Sequence, residues 1–425
     1  MLLALVLLVA CSDDRSHTLK VYNWSTYIDE SQIAEFEKWY EEQTGEPVHV
    51  IYQTFDVLET MLSKIEKGHE DYDVVCPSDY IIERMLQNDL LLPLDLHFGD
   101  TPNYVSENVS PFIRGYFDKI DGKGKNANDY AVGYMWGTTG ILYNAKYVTD
   151  EEASTWEVLR NPKFADRIFI KDSPRDVASQ LIIHLKQQEL AEGSVTLDDL
   201  MLDASDETLA EVEAFLKDAR QYIAGWEADF GKEQMIKERG WVNLNWSGDA
   251  QWAIVEGKES GVDLRFTCPK EGFTIFFDGW VIPKYAKNIK AANYWIDFLC
   301  RSDVAISNSE ETGYVSCCGG QEMLEHFTDD SFPPLDASYF FGAGADSVCL
   351  DPVLYPDAAD IARSTMEHDW GNDTEKLIAM WSRVKGSEAN AGTIIVIAAV
   401  VLLAVFLVLR RRAAARGRAR RGTRR

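Results

Sequence analysis

Residues 18–80 alternate short apolar runs with amphipathic helical repeats, and this pattern limits the fold more than any other feature of the chain. Leu19-Lys20-Val21-Tyr22, Val48 to Tyr52 and Asp73-Val74-Val75-Cys76 read as strands. Asp29 to Thr44 reads as a helix, with Asp29 at the cap, Ile33, Phe36 and Tyr40 on one face, and Gly45 as the stop. Asp56 to Lys67 sets Leu58, Met61, Leu62 and Ile65 at helical spacing and ends at Gly68. The third strand is apolar throughout, as expected when both faces of a sheet are covered. The resulting βαβαβ order predicts a parallel, doubly wound sheet. Ligands of such sheets bind beyond the carboxyl ends of the strands. Asn23-Trp24-Ser25-Thr26-Tyr27 follows the first strand and Pro77-Ser78-Asp79-Tyr80 follows the third, so both segments fall at that edge.

A second set of elements begins near Trp136. Arg167 to Ile170 and Trp241 to Trp246 read as strands, as do Leu264 to Cys268 and Phe273 to Phe277. Leu209, Val212 and Leu216 mark one helix, and Ala292, Trp295, Ile296 and Leu299 another. This set carries two more segments that join rings to acids, Trp246-Ser247-Gly248-Asp249 and Phe276-Phe277-Asp278. Four such segments suit a flexible chain of methylenes with an amine at each end. Rings pack on methylenes and face ammonium groups, for about 0.5–2 kcal/mol each. Carboxylates pair with the amines through charge-assisted hydrogen bonds. An unpaired ammonium in a dry cleft is costly, so the site needs about one acid per amine.

Charge agrees with a cationic ligand. Nine arginines and no acid lie in residues 410–425, and removing those nine from the chain's net −27 leaves −36 on the rest. An acidic body of that kind disfavours nucleic acid and anionic substrates. The two ends suggest export. Met1 to Ala10 is almost wholly apolar and ends in Leu8-Val9-Ala10-Cys11, which reads as a signal-peptide core with a lipobox whose Cys11 is lipidated. Ala391 to Leu409 is apolar and uncharged, followed by Arg410-Arg411-Arg412, which reads as a membrane-spanning helix with a cytoplasmic tail. Apart from Cys11 there are six cysteines, Cys76, Cys268, Cys300, Cys317, Cys318 and Cys349, an even number whose pairing the sequence leaves open.

Signs of catalysis are weak. The seven histidines are scattered without zinc spacing, and no nucleophile elbow, phosphate loop or dinucleotide fingerprint is present. Asp249 and Asp278 as a glycosidase-type carboxylate pair remain an alternative, as does a receptor of the same fold for another cationic small molecule.

In order and spacing, the segments resemble the polyamine-binding proteins of bacterial ABC importers over about residues 18–386. The motifs that carry this are Tyr22-Asn23-Trp24-Ser25, Val75-Cys76-Pro77-Ser78, Tyr134-Met135-Trp136-Gly137-Thr138-Thr139-Gly140, Trp246-Ser247-Gly248-Asp249 and Phe276-Phe277-Asp278. The resemblance implies an α/β fold of the two-lobed, type II periplasmic-binding-protein kind, each lobe a doubly wound sheet. With the end segments, the expected organisation is a signal peptide over 1–11, one lobe from 18–133 with 279–318, a second from 134–278 with 319–386, a transmembrane helix over 391–409 and a basic tail over 410–425. It further implies a monomer that holds a polyamine between its lobes, works with an ABC permease and its ATPase, and needs no cofactor. Trp24 and Tyr27 would stack on the ligand, with Ser25 and Thr26 in the same loop, and Ser78 would bind an amine beside Tyr80. Trp246, Asp249, Phe276 and Asp278 would supply rings and carboxylates, joined by Asp176, Tyr314 and Glu367. Relatives carry an acid where Thr26 stands, and Asp79 is expected to replace that charge. The Trp246 and Phe276 segments look more like those of putrescine receptors than those of spermidine receptors.

Overall fold

The computed structural model describes residues 15–228 and 230–386. Strand β1 (Thr18–Trp24) is followed by helix α1 (Ser31–Thr44), which closes at Gly45 in the left-handed conformation with φ 69°. Glycine adopts that geometry without the cost a Cβ would add. Strand β2 (His49–Phe55) leads to helix α2 (Leu58–Glu66), which buries the expected stripe of Leu58, Met61, Leu62 and Ile65. Strand β3 (Val74–Val75) then leads into helix α3 (Asp79–Gln87). Both β2 and β3 pair parallel with β1, as the alternation predicts. Helix α1 starts two residues later than expected, because Asp29 caps from outside and accepts from the Ser31 N–H.

The longest strand, β4 (Ala131–Asn144), is buried at all 14 positions. Strand β5 (Ile168–Lys171) and helix α4 (Pro174–Leu185) follow, then helix α5 (Asp206–Ala219) and strand β6 (Ile223–Glu227). Strand β7 (Val242–Trp246) runs straight into helix α6 (Ser247–Glu259), and strand β8 (Leu264–Thr267) precedes the long strand β9 (Phe273–Pro283). The strands form one connected ladder in the order β2-β1-β3-β9-β4-β7-β5-β6.

Strands β4 and β9 carry this ladder from one set of elements to the other. They pair antiparallel from Ile275↔Thr138 to Val281↔Ala131, with the register broken between Asp278 and Gly279. Beyond that stretch β4 pairs with β7 and β8, and at its end β9 also pairs with β3, Val281↔Val75. The parallel pairs β7–β5 and β5–β6 complete the second set. Residues up to Thr374 belong to one compact unit and those from Glu375 to another. The described part of the latter lies in the helix Thr374–Gly386, which carries Leu377, Met380, Trp381 and Val384 along one stripe.

One part of the expected fold class is corrected. Among the described residues no helix is long and apolar enough to cross a membrane, so the expected spanning helix is not one of the described elements. The segment 391–409 and the basic tail lie outside the described residues, as do the signal segment and Cys11. The other six cysteines are free thiols.

Candidate functional site

Three groups of side chains meet at the carboxyl ends of β1, β3, β5 and β7 and along the middle of β9. The first centres on Asp278. The register break after Asp278 lets the Gly279 N–H reach the Pro77 carbonyl at 3.0 Å, which draws the start of α3 against β9. Ser78 sits extended before α3 but does not cap it. Its hydroxyl instead donates to Asp278 Oδ1 at 2.6 Å, and the Tyr27 hydroxyl donates to Oδ2 at 2.7 Å. The Asn23 amide and the Tyr134 hydroxyl hold the Tyr27 carbonyl at 3.2 and 2.8 Å. Thr26 takes φ 53°, a left-handed conformation that is strained for a β-branched residue. Burial pushes the Asp278 carboxyl up from 3.8 to about 6 against the pull of its two hydroxyl donors. The half-buried Trp24 ring packs on Phe55 at 4.7 Å. Its indole N–H has no full hydrogen bond but lies near enough to Asp278 to favour the ionised form.

The second group sets the half-buried Asp176 and the buried Glu367 around one guanidinium. Asp176 lies in the first turn of α4 and accepts from the Ser173 hydroxyl and from the Trp246 side chain. Burial raises its carboxyl, and the same effect, reinforced by the charge of Asp176, brings Glu367 to about 8. Arg175 stacks on the Trp370 ring at 3.9 Å, donates to the Met201 carbonyl at 2.8 Å, and reaches Glu367 only at 3.8 Å. Glu367 Oε1 and Arg175 Nε and Nη1 are buried without a hydrogen-bond partner. Tyr80 borders this group, its hydroxyl pushed up by burial and by the charges of Glu59, Asp176 and Glu367. Asp79 behaves differently. Its two oxygens accept the backbone N–H groups of Tyr80 and Phe277, at 2.7 and 3.3 Å, and burial raises its carboxyl well above the usual range. It therefore clasps α3 to β9 through both of its carboxyl oxygens.

The third group is a run of rings. Tyr314 meets Tyr27 edge-on at 5.1 Å and Phe276 at 6.2 Å, and Phe276 meets Trp246 at 6.4 Å. Glycines make room for it: a Cβ on Gly248 would stand 2.5 Å from the Tyr314 ring, and one on Gly137 2.6 Å from Phe276. Asp249, in the first turn of α6, points to Lys171 and Lys232 at 2.7 and 3.1 Å. Their charges hold its carboxyl low despite burial.

The structure thus brings together Trp24, Tyr27, Ser78, Tyr80, Asp176, Trp246, Phe276, Asp278, Tyr314 and Glu367 from the expected set. Ser25 and Thr26 are exposed on the turn after β1, and Asp249 and Asp79 are taken up by partners within the chain. Sequence reasoning passed over Arg175, Lys171, Lys232 and Tyr134. A signal for Lys171 was present: a lysine closing the apolar strand Ile168-Phe169-Ile170 must find a buried partner. Among the described residues no group of three or more His, Cys, Asp or Glu side chains is placed to hold a metal ion.

The chain matches the profile of the bacterial extracellular solute-binding protein family over residues 32–320. It is 28% identical over 375 residues to the spermidine/putrescine-binding periplasmic protein of Salmonella typhimurium, covering 87% of this chain and 92% of that one. To the putrescine-binding periplasmic protein PotF of Escherichia coli it is 30% identical over 311 residues, 70% of this chain and 77% of the relative. Among solved structures, it is similar to the spermidine/putrescine ABC transporter substrate-binding protein PotD of Streptococcus pneumoniae. That match has a TM-score of 0.64 at 26% identity and covers 87% of this chain and 99% of the other.

Proposed function

We propose that this chain, which belongs to the bacterial extracellular solute-binding protein family, captures a polyamine outside the cytoplasmic membrane and passes it to an ABC permease and its ATPase. The observation that carries the reading is the imbalance of charge in the site. Asp278, Asp176 and Glu367 are held with raised pKa values, and Arg175 answers them only in part. Burial disfavours the charged form of such acids, and a bound cation offsets that penalty. An ammonium at Asp278 would accept from neither hydroxyl neighbour and would donate to the carboxylate. Tyr27, Tyr314 and Phe276 would line the methylenes beside it.

In this reading the lobes, 18–133 with 279–318 and 134–278 with 319–386, close over the ligand about the long strands β4 and β9. The relatives' names support a polyamine ligand, and the acid-rich site fits it without calling for catalysis. Lipidation of Cys11 would tether the exported chain, and fatty-acid labelling that disappears in Cys11→Ser checks it. Calorimetric titration of the purified protein with putrescine and with spermidine tests the function. Saturable one-site binding of either at a micromolar dissociation constant or tighter is expected; no binding of either amine would overturn the reading.

A further inference from the structure

A buried lysine is tolerated only when its ammonium is fully engaged, since burial disfavours the charged form. Lys171, the last residue of β5, has a fully buried side chain. Its Nζ lies 2.7 Å from Asp249 Oδ2, 3.4 Å from Glu227 Oε1 and 3.2 Å from the Ala228 carbonyl oxygen. It also stands 4.2 Å from the centroid of the Trp246 ring. Lys232 places a second ammonium 3.1 Å from Asp249 Oδ1. Glu227 is fixed in turn by the Gly231 N–H at 3.0 Å and the Asn243 amide at 3.2 Å.

A ring face beside a buried carboxylate is the setting an ammonium ligand requires. Here the chain fills it with an ammonium of its own. Trp246 borders both places, since the same side chain also bonds Asp176. We propose that Lys171 is a specificity-determining residue: its ammonium occupies the amine subsite formed by Trp246 and Asp249, so the receptor takes a diamine and discriminates against a triamine. The inference rests on the polyamine reading above. The two ends of a diamine are served by Asp278 and by the Asp176–Glu367 pair. The additional ammonium of a triamine meets Lys171 and Lys232 with no carboxylate left unanswered.

The test is a calorimetric titration of wild type and Lys171→Met with putrescine and with spermidine, folding being checked by thermal melting. Wild type is expected to bind putrescine at least tenfold more tightly than spermidine. Lys171→Met, which keeps the side-chain bulk and removes the charge, is expected to narrow that preference tenfold or more. An unchanged preference in folded Lys171→Met, or a wild type that prefers spermidine, overturns the proposal. Where Lys171→Met does not fold, Asp249→Asn decides. A change in putrescine affinity of less than threefold supports a subsite already filled by the chain, and a loss of tenfold or more overturns it. Wild type that binds neither amine brings down the polyamine reading itself, a result distinct from a lost preference.

Discussion

Asp278 and Asp249 are the same residue type in similar surroundings, each buried and each beside aromatic rings, yet they answer to different partners. Asp278 receives two uncharged hydroxyl donors, so burial wins and its carboxyl rises to about 6. Asp249 receives two ammonium groups, so its carboxyl falls below the usual 3.8 in spite of burial. Counter-charge, not burial or neighbouring rings, therefore decides which acid is open to a cationic ligand. An acid met by hydroxyls retains an unmet demand for positive charge; an acid met by lysines does not.

The largest expected effect is at Asp278. Asp278→Asn should weaken putrescine binding more than tenfold, or over about 1.4 kcal/mol, because one ammonium loses its carboxylate. Equal calorimetric losses in Asp278→Asn and Asp249→Asn would erase the distinction between the two acids. The same variant sharpens the comparison through stability. With a folded pKa raised from 3.8 to about 6, Asp278 favours the native state fully only below the unfolded value, and that contribution is lost as pH rises through about 6. Asp278→Asn removes a penalty of up to about 3 kcal/mol at neutral pH. It should therefore melt higher than wild type at pH 7.5, with the advantage gone near pH 4.

Gly248→Ala comes next. Its Cβ would stand 2.5 Å from the Tyr314 ring, so the ring must move away from Tyr27 and Phe276. Putrescine affinity should fall by roughly three- to tenfold, on the scale of one ring contact, with the melting temperature lowered as well; unchanged affinity would remove Tyr314 from the ligand path. The smallest effect is at the Thr26 turn. Thr26→Asn keeps φ 53° with a residue that tolerates it better, and a gain of about 0.5–1 kcal/mol is expected in denaturant unfolding. A loss there would show that the threonine side chain supports the turn.

Much of the first set of elements was legible from periodicity alone. The stripe on α2 and the stop at Gly45 appear where spacing puts them, and Trp24, Ser78 and Trp246 fall at strand ends as a doubly wound sheet requires. The longest strand was missed. Ala131–Asn144 is covered on both faces, so it shows no alternation, and glycines at 133, 137 and 140 hide its strand character. Gly133 leaves room for Ile113 and Cys317, Gly137 for Phe276 and Ser247, and Gly140 for Phe266, a reason that exists only in three dimensions. The partners of Asp249 and Asp79 were hidden for a related cause. An acid is recognisable in sequence, but the lysine or backbone N–H that satisfies it lies on another element. The spanning helix, read from composition, has no counterpart among the described elements.

An ammonium bound beside buried carboxylates lowers their pKa values, which links binding to proton release. Putrescine titrated into wild type at pH 7, in two buffers of different ionisation enthalpy, counts the protons exchanged. The complex should hold fewer protons than the free protein, because a bound ammonium lowers the pKa of Asp278 from about 6 and of Glu367 from about 8. Proton release on binding, with affinity rising as pH goes from about 6 to about 8, is the expected result. Tight binding with no proton released and no pH dependence across that range would contradict it.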